Sequence, residues 1–185
     1  MADTAMPLLA RRVNGSLWAN AADDAVWAGS EYPIALMNEL VDRHGGNLSV
    51  WQVESASDPN LKRIVAAIVA GPASVSVKEI PTVEFRLVER SQIEALGISV
   101  AQTSGGLRDA GINSLHYELG NINSARGVQL LRLMRNTAKV FPAKVTTRLI
   151  AQSIIRKHLP AEVLSKDFLY ALHQKKAVKV VLPKK

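Results

Sequence analysis

Residues 48–71 read LSVWQVESASDPNLKRIVAAIVAG. Leu48–Val53, rich in Val and Trp, suits a strand. Asp58 ahead of Pro59 suits a helix start, because Pro tolerates the first helical position and Asp accepts from free backbone donors. That helix is expected to reach Ala70 and stop at Gly71. A strand passing directly into a helix sets the expected class, and the flanking sequence extends it.

Upstream, Arg12–Trp18 reads as a short first strand closed by a polar turn at Asn20–Asp24. Ser30 offers a helix N-cap with Pro33 in the first turn, and Ile34, Leu36, Met37, Leu40 and Val41 follow at helical spacing up to Gly45-Gly46. Downstream, Ala73–Ile80 and Val83–Val88 are strand-like runs separated by Pro81. Ser91 and Glu94 have capping-box spacing for a short helix that Gly97 ends. Gln102–Gly111 is loop-like, and Asn113–Leu119 is a strand with Leu115, Tyr117 and Leu119 on one face. The expected class is α+β: a mixed sheet with helices packed on it in the N-terminal two-thirds, followed by a basic helical C-terminal third ending in a short strand.

That last third comprises helices at Ser124–Phe141, Lys144–Leu159 and Ser165–Gln174, punctuated by Pro142 and Pro160, then a strand at Ala177–Leu182. A break at Gly120–Ser124 divides an acidic portion, 1–122, from a basic one, 123–185. The two form one continuous domain if the closing strand pairs back into the sheet. Within Thr146–Gln174, helix, Pro break and helix, with a short strand after, follow the order of a winged helix-turn-helix. The usual turn glycine is missing, and the second helix starts late.

Charge follows the same division. Residues 123–185 hold fourteen Lys/Arg and two acids, Glu162 and Asp167, whereas residues 1–122 hold nine Lys/Arg and fourteen acids. Such a split points to an anionic partner or to one part neutralising the other. No cysteine is present, which excludes disulfides, thiolate metal sites and Cys nucleophiles and fits a reducing compartment. The longest apolar run, Ile64–Ala70, is too short to span a bilayer. Arg11 and Arg12 follow the N-terminal apolar run, the reverse of secretory-signal order. A cytoplasmic protein with no membrane partner is expected.

On a continuous Ser124–Phe141 helix, Arg132, Arg135 and Lys139 fall within roughly 60° of one another, apart from an apolar stripe of Leu130, Met134, Ala138 and Phe141. Such a face can lie along phosphates, or can simply be solvated. In the next helix Arg148, Arg156 and Lys157 are basic, but Val145, Leu149, Ile150, Ile154 and Ile155 spread around the cylinder, so a largely buried element with charged ends is expected. The C-terminal Lys175, Lys176, Lys179, Lys184 and Lys185 can extend a positive surface. Trp18, Trp27 and Trp51 all lie in the acidic portion, away from the cations, so base stacking is not expected and any nucleic acid is met through its backbone.

Signals for catalysis are few. His116 and Glu118 share a strand face, the minimum for general-base chemistry, but also what a solvent-facing polar edge looks like. His44, His158 and His173 sit where helix ends favour cations. No His pair has zinc spacing, and Asp23-Asp24 reads as a turn or cap, so no metal or cofactor is expected. Ser104–Arg108 lacks the ending of a phosphate loop, although Arg108 can grip an anion if that loop lines a cleft. Three functions stand: a non-enzymatic binder of nucleic acid or another polyanion, an assembly module meeting an acidic protein or its own copies in a homo-oligomer, and an enzyme with a site near His116, Glu118 and Arg108.

Overall fold

In a computed structural model of the chain, the described residues are 6–21, 23–27, 31–41, 47–70, 80–159 and 169–170. The strand and helix read from residues 48–71 stand at Leu48–Val53 (β2) and Pro59–Ala70 (α2). The remaining strands are Leu8–Val13 (β1), Val83–Glu89 (β3), Ser99–Gln102 (β4), His116–Gly120 (β5) and Ala138–Phe141 (β6). The remaining helices are Glu31–Val41 (α1), Arg90–Ala95 (α3), Ser124–Met134 (α4) and Ala143–Ile155 (α5), with 3-10 turns at Asp24–Trp27 and Ala110–Leu115. Among the described residues no helix is long and apolar enough to cross a membrane.

The strands form a six-stranded sheet in the order β4-β5-β2-β1-β3-β6, so the fold is α+β. The pairs β4–β5, β5–β2, β2–β1 and β1–β3 are all antiparallel. The expected mixed sheet is thereby corrected, as is its confinement to the N-terminal two-thirds: β6 comes from the basic third. Side-chain alternation places Leu9, Val13, Leu48, Val50, Val88 and Leu119 on one face. They are buried with Leu36 and Leu40 of α1 and Leu130, Leu131 and Met134 of α4 in a single cluster.

The chain divides into two compact units. The first combines residues 1–58, 84–105 and 114–140 and carries nearly all of the sheet with α1, α3 and α4. The second combines residues 59–83, 106–113 and 141–185 and is built on α2 packed against α5. The acidic-to-basic step after residue 122 falls within the first unit.

Several expectations are corrected. The first strand begins at Leu8 rather than Arg12, and Trp18 lies in the turn after it, buried, with its indole N–H donating to Glu39 Oε2 at 2.6 Å. At Ser91 there is no capping box: α3 starts at Arg90 after Glu89, no side chain caps it, and Glu94 pairs with Arg90 instead. Gly97 does end α3, at φ +73°, a left-handed conformation that glycine adopts without strain. β4 ends at Gln102, the first residue of the expected loop, and Asn113–Leu115 lies in a 3-10 turn ahead of β5. The second basic helix begins at Ala143 and ends at Ile155, short of Leu159.

The largest correction falls on Ser124–Phe141, which is not one helix. Asn123 caps α4 by accepting from the Arg126 amide at 2.9 Å, and the helix ends at Met134. There Thr137 Oγ1 donates to the Met134 carbonyl at 2.8 Å, and the Leu87 amide donates to the Thr137 carbonyl at 3.2 Å. The chain thus leaves the helix to run beside β3. The Ala73–Ile80 strand lies outside the described residues apart from Ile80, as do the Ser165–Gln174 helix apart from residues 169–170, and the Ala177–Leu182 strand with its lysines.

Candidate polyanion interface

Of the six cations singled out from sequence, Arg132, Arg135 and Lys139 belong to the first unit, and Arg148, Arg156 and Lys157 to the second. The break after Met134 dissolves the proposed helical face. Arg132 is exposed in the last turn of α4, Arg135 is its C-cap residue, and Lys139 sits half-buried on β6. Arg135 is also ion-paired to Asp24 and lies 6.0 Å from the centre of the Trp27 ring.

α5 is the reverse case. Its buried positions are Thr146, Thr147, Leu149, Ile150, Ala151 and Ser153. At 100° per residue these leave an arc of about 120° carrying Lys144, Val145, Arg148, Gln152, Ile155 and, just past the helix end, Arg156. All six are exposed. α5 contains no acidic residue, and among the described residues the side chains of Lys144, Arg148, Arg156 and Lys157 have no hydrogen bond or ion pair. The expected buried helix with charged ends is therefore corrected: the apolar residues occupy one side, with Val145 and Ile155 left among the cations.

The end of α5 is a Schellman turn. Lys157 is left-handed at φ +59°, its amide donates to the Ile154 carbonyl at 2.9 Å, and the His158 amide donates to the Ser153 carbonyl at 2.8 Å. This reversal brings Arg156 and His158 to a cleft of about 200 Å³ shared with the first turn of α2. Pro59, Lys62, Arg63, Leu149, Gln152 and Ser153 complete its lining. Arg63 is held by Asp109, Nε to Oδ2 at 2.9 Å and Nη2 to Oδ1 at 2.6 Å, and the Gly111 amide donates to the same carboxylate at 3.1 Å. A Cβ at Gly111 would stand 2.6 Å from Arg63 Nη2, so glycine leaves room for this clamp.

The first unit has a cleft of its own, about 320 Å³, lined by Trp18, Ala19, Glu84, Arg86, Arg135, Asn136 and Ala138. Its charges are already occupied. Arg86, 4% exposed, is ion-paired to Glu84, donates to the Arg135 carbonyl at 2.6 Å, and lies 4.7 Å from the centre of the Trp18 ring.

His116 and Glu118 are also engaged in structure. β5 runs between β4 and β2, so His116 is not at an edge: it is buried, edge-on to Trp51 at 5.2 Å, with Nδ1 2.7 Å from Thr103 Oγ1. Burial lowers the pKa of His116 below its ordinary value of 6.5 and so favours the neutral ring, opposed by the charge of Glu118. Glu118 accepts from Asn47 at 3.2 Å. Arg108 is half-buried in a loop that Asn113 closes by bonding both the amide and the carbonyl of Leu107, and it is not part of the α5 cleft. Asp23 accepts from the Ala25 amide in its turn, and among the described residues no group of His and acids could hold a metal ion.

The sequence reading missed Arg86–Glu84, although alternate charges inside the apolar strand VEFRLVE were the available signal. It also missed Lys62 and Arg63, which stand together at the start of an otherwise apolar helix. No family model matches this chain, and no curated protein or solved structure is significantly similar to it.

Proposed function

We propose that the protein is a non-enzymatic binder of nucleic acid, meeting a phosphate backbone with the second unit. The supporting observation is the exposed arc of α5: Lys144, Arg148 and Arg156 on one side of a helix without a single carboxylate, with Lys157 following. Cations with no partner among the described residues release counterions when they meet phosphates, which is what drives backbone binding. The tally agrees. The second unit holds fourteen Lys/Arg and four acids, and the first nine and twelve, giving nets of +10 and −3. Of the cations chosen from sequence, Arg148, Arg156 and Lys157 carry the proposal; Arg135 already has a counter-ion in Asp24.

The test is anisotropy of a labelled 25-base-pair duplex titrated across salt. Four phosphate contacts are expected to give a log–log slope of about −3.6. Absence of binding even at low salt would overturn the proposal and transfer the basic surface to an acidic protein partner.

A further inference from the structure

The cleft between the first turn of α2 and the end of α5 combines a volume, a charge and a fixed geometry. Its volume of about 200 Å³ is below the roughly 300–1,000 Å³ of sites that enclose drug-sized molecules. At about 30 Å³ per water, it has room for a single tetrahedral anion with a few waters. Lys62, Arg63 and Arg156 line it, with His158 as a fourth nitrogen base, and none of the lining residues is acidic. Gln152 and Ser153 add neutral polar groups. Arg63 is pre-oriented: the Asp109 carboxylate, 2% exposed, takes its Nε and one Nη, leaving the other Nη to a ligand.

We infer that this cleft is a seat for a phosphate monoester, such as the terminal phosphate of a nucleic-acid strand. A phosphodiester carries one negative charge, whereas a monoester carries close to two near pH 7 and presents three acceptor oxygens. Lys62 and Arg156 bring two positive charges that no described residue answers, and Arg63, its charge already met by Asp109, adds a donor; two charges around a volume of one phosphate match the second better than the first. The strand end as the source rests on the nucleic-acid reading above; the monoester chemistry rests on the cleft alone.

The experiment compares 25-base-pair duplexes bearing 5′-phosphate or 5′-hydroxyl ends, and separately titrates inorganic phosphate at constant ionic strength while following backbone amides by NMR. The phosphorylated duplex is expected to bind about tenfold more tightly, the difference one charge-assisted contact makes. Inorganic phosphate should remove the preference and shift the amides of Lys62, Arg63, Ser153 and His158 saturably. Lys62→Gln, an exposed change off the α5 arc, should lose the preference and keep the hydroxyl-ended affinity.

Equal affinity for both duplexes, without saturable shifts, would overturn the inference while leaving duplex binding intact. Equal affinity with saturable shifts would keep the monoester seat and overturn the strand end as its source. Saturable shifts with no duplex binding at all would keep the seat and overturn the nucleic-acid reading. No shifts and no duplex binding would overturn both.

Discussion

The two units treat their cations differently. In the first, Arg11 donates to the Ser49 carbonyl, Arg126 to those of Leu96 and Asn121, Arg90 pairs with Glu94, Arg86 with Glu84, and Arg135 with Asp24. These arginines act as structural crosslinks. In the second, Arg63 alone among the described cations of the α2–α5 pair is answered, while Lys62, Lys144, Arg148, Arg156 and Lys157 face outward. A charge tally therefore overstates what a unit can offer a partner unless internal commitments are subtracted. The +12 of residues 123–185 includes Arg126 and Arg135, which the fold already uses.

The comparison is broken most directly at Arg86. Arg86→Met leaves Glu84 and the Arg135 carbonyl without their donor and is expected to cost about 3–5 kcal/mol, the usual penalty for halving a buried ion pair. Urea unfolding measures it, and a loss below 1 kcal/mol would mean the crosslink is decorative. Next in size is Asp109→Asn, which keeps the shape but removes the charge facing Arg63. Because Arg63 stays one-quarter exposed, a smaller loss of about 2–3 kcal/mol is expected in the same assay.

Lys144→Gln, Arg148→Gln and Arg156→Gln combined should reverse the pattern. Stability is expected to stay within about 0.5 kcal/mol for each surface change, while the salt slope of duplex binding shrinks by about three. The same triple at Arg132, Arg135 and Lys139 should leave that slope nearly unchanged.

His116 adds to the contrast from another side, as a basic group whose protonation burial in the first unit disfavours. An unfolded chain takes up a proton near pH 6.5 that the buried ring resists. Its share of stability is therefore complete above that pH and is lost as pH falls below it, through the lower folded-state value. Denaturation midpoints between pH 7.5 and 5.5 should decline for the native chain and stay flatter for His116→Gln. The smallest effect is Lys157→Gly, which relieves a left-handed lysine and should add up to about 1 kcal/mol, read as a rise in melting temperature.

What could be read from sequence was what local chemistry decides. Leu48–Val53 and Pro59–Ala70 are bounded by Asp58-Pro59 and by glycine, and their limits needed nothing distant. Val83–Val88 and the stop at Gly97 are of the same kind. The end of α4 is not: residues 124–141 are compatible with one helix, and the break depends on Thr137 meeting Leu87, far away in sequence. β1 was misplaced because Arg11 looks wrong inside an interior strand until it is seen bonding the Ser49 carbonyl on the neighbouring one. The cleft was invisible for a related reason. Residues 59–63 contribute three of its lining residues and 149–158 the other five, and only the packing of α2 on α5 brings them together.

The clamp of Asp109 on Arg63 also has a consequence in time. A guanidinium held by two hydrogen bonds to a buried carboxylate, with Gly111 leaving no atom to displace it, has little rotational freedom left to lose when an anion arrives. Freezing that rotor happened during folding. For an anion seated there as inferred above, encounter would be governed by the outward lysines and arginines, and the clamped group would govern how long the anion stays. Loosening the clamp should therefore shorten the lifetime of a bound phosphate while leaving its rate of arrival almost untouched.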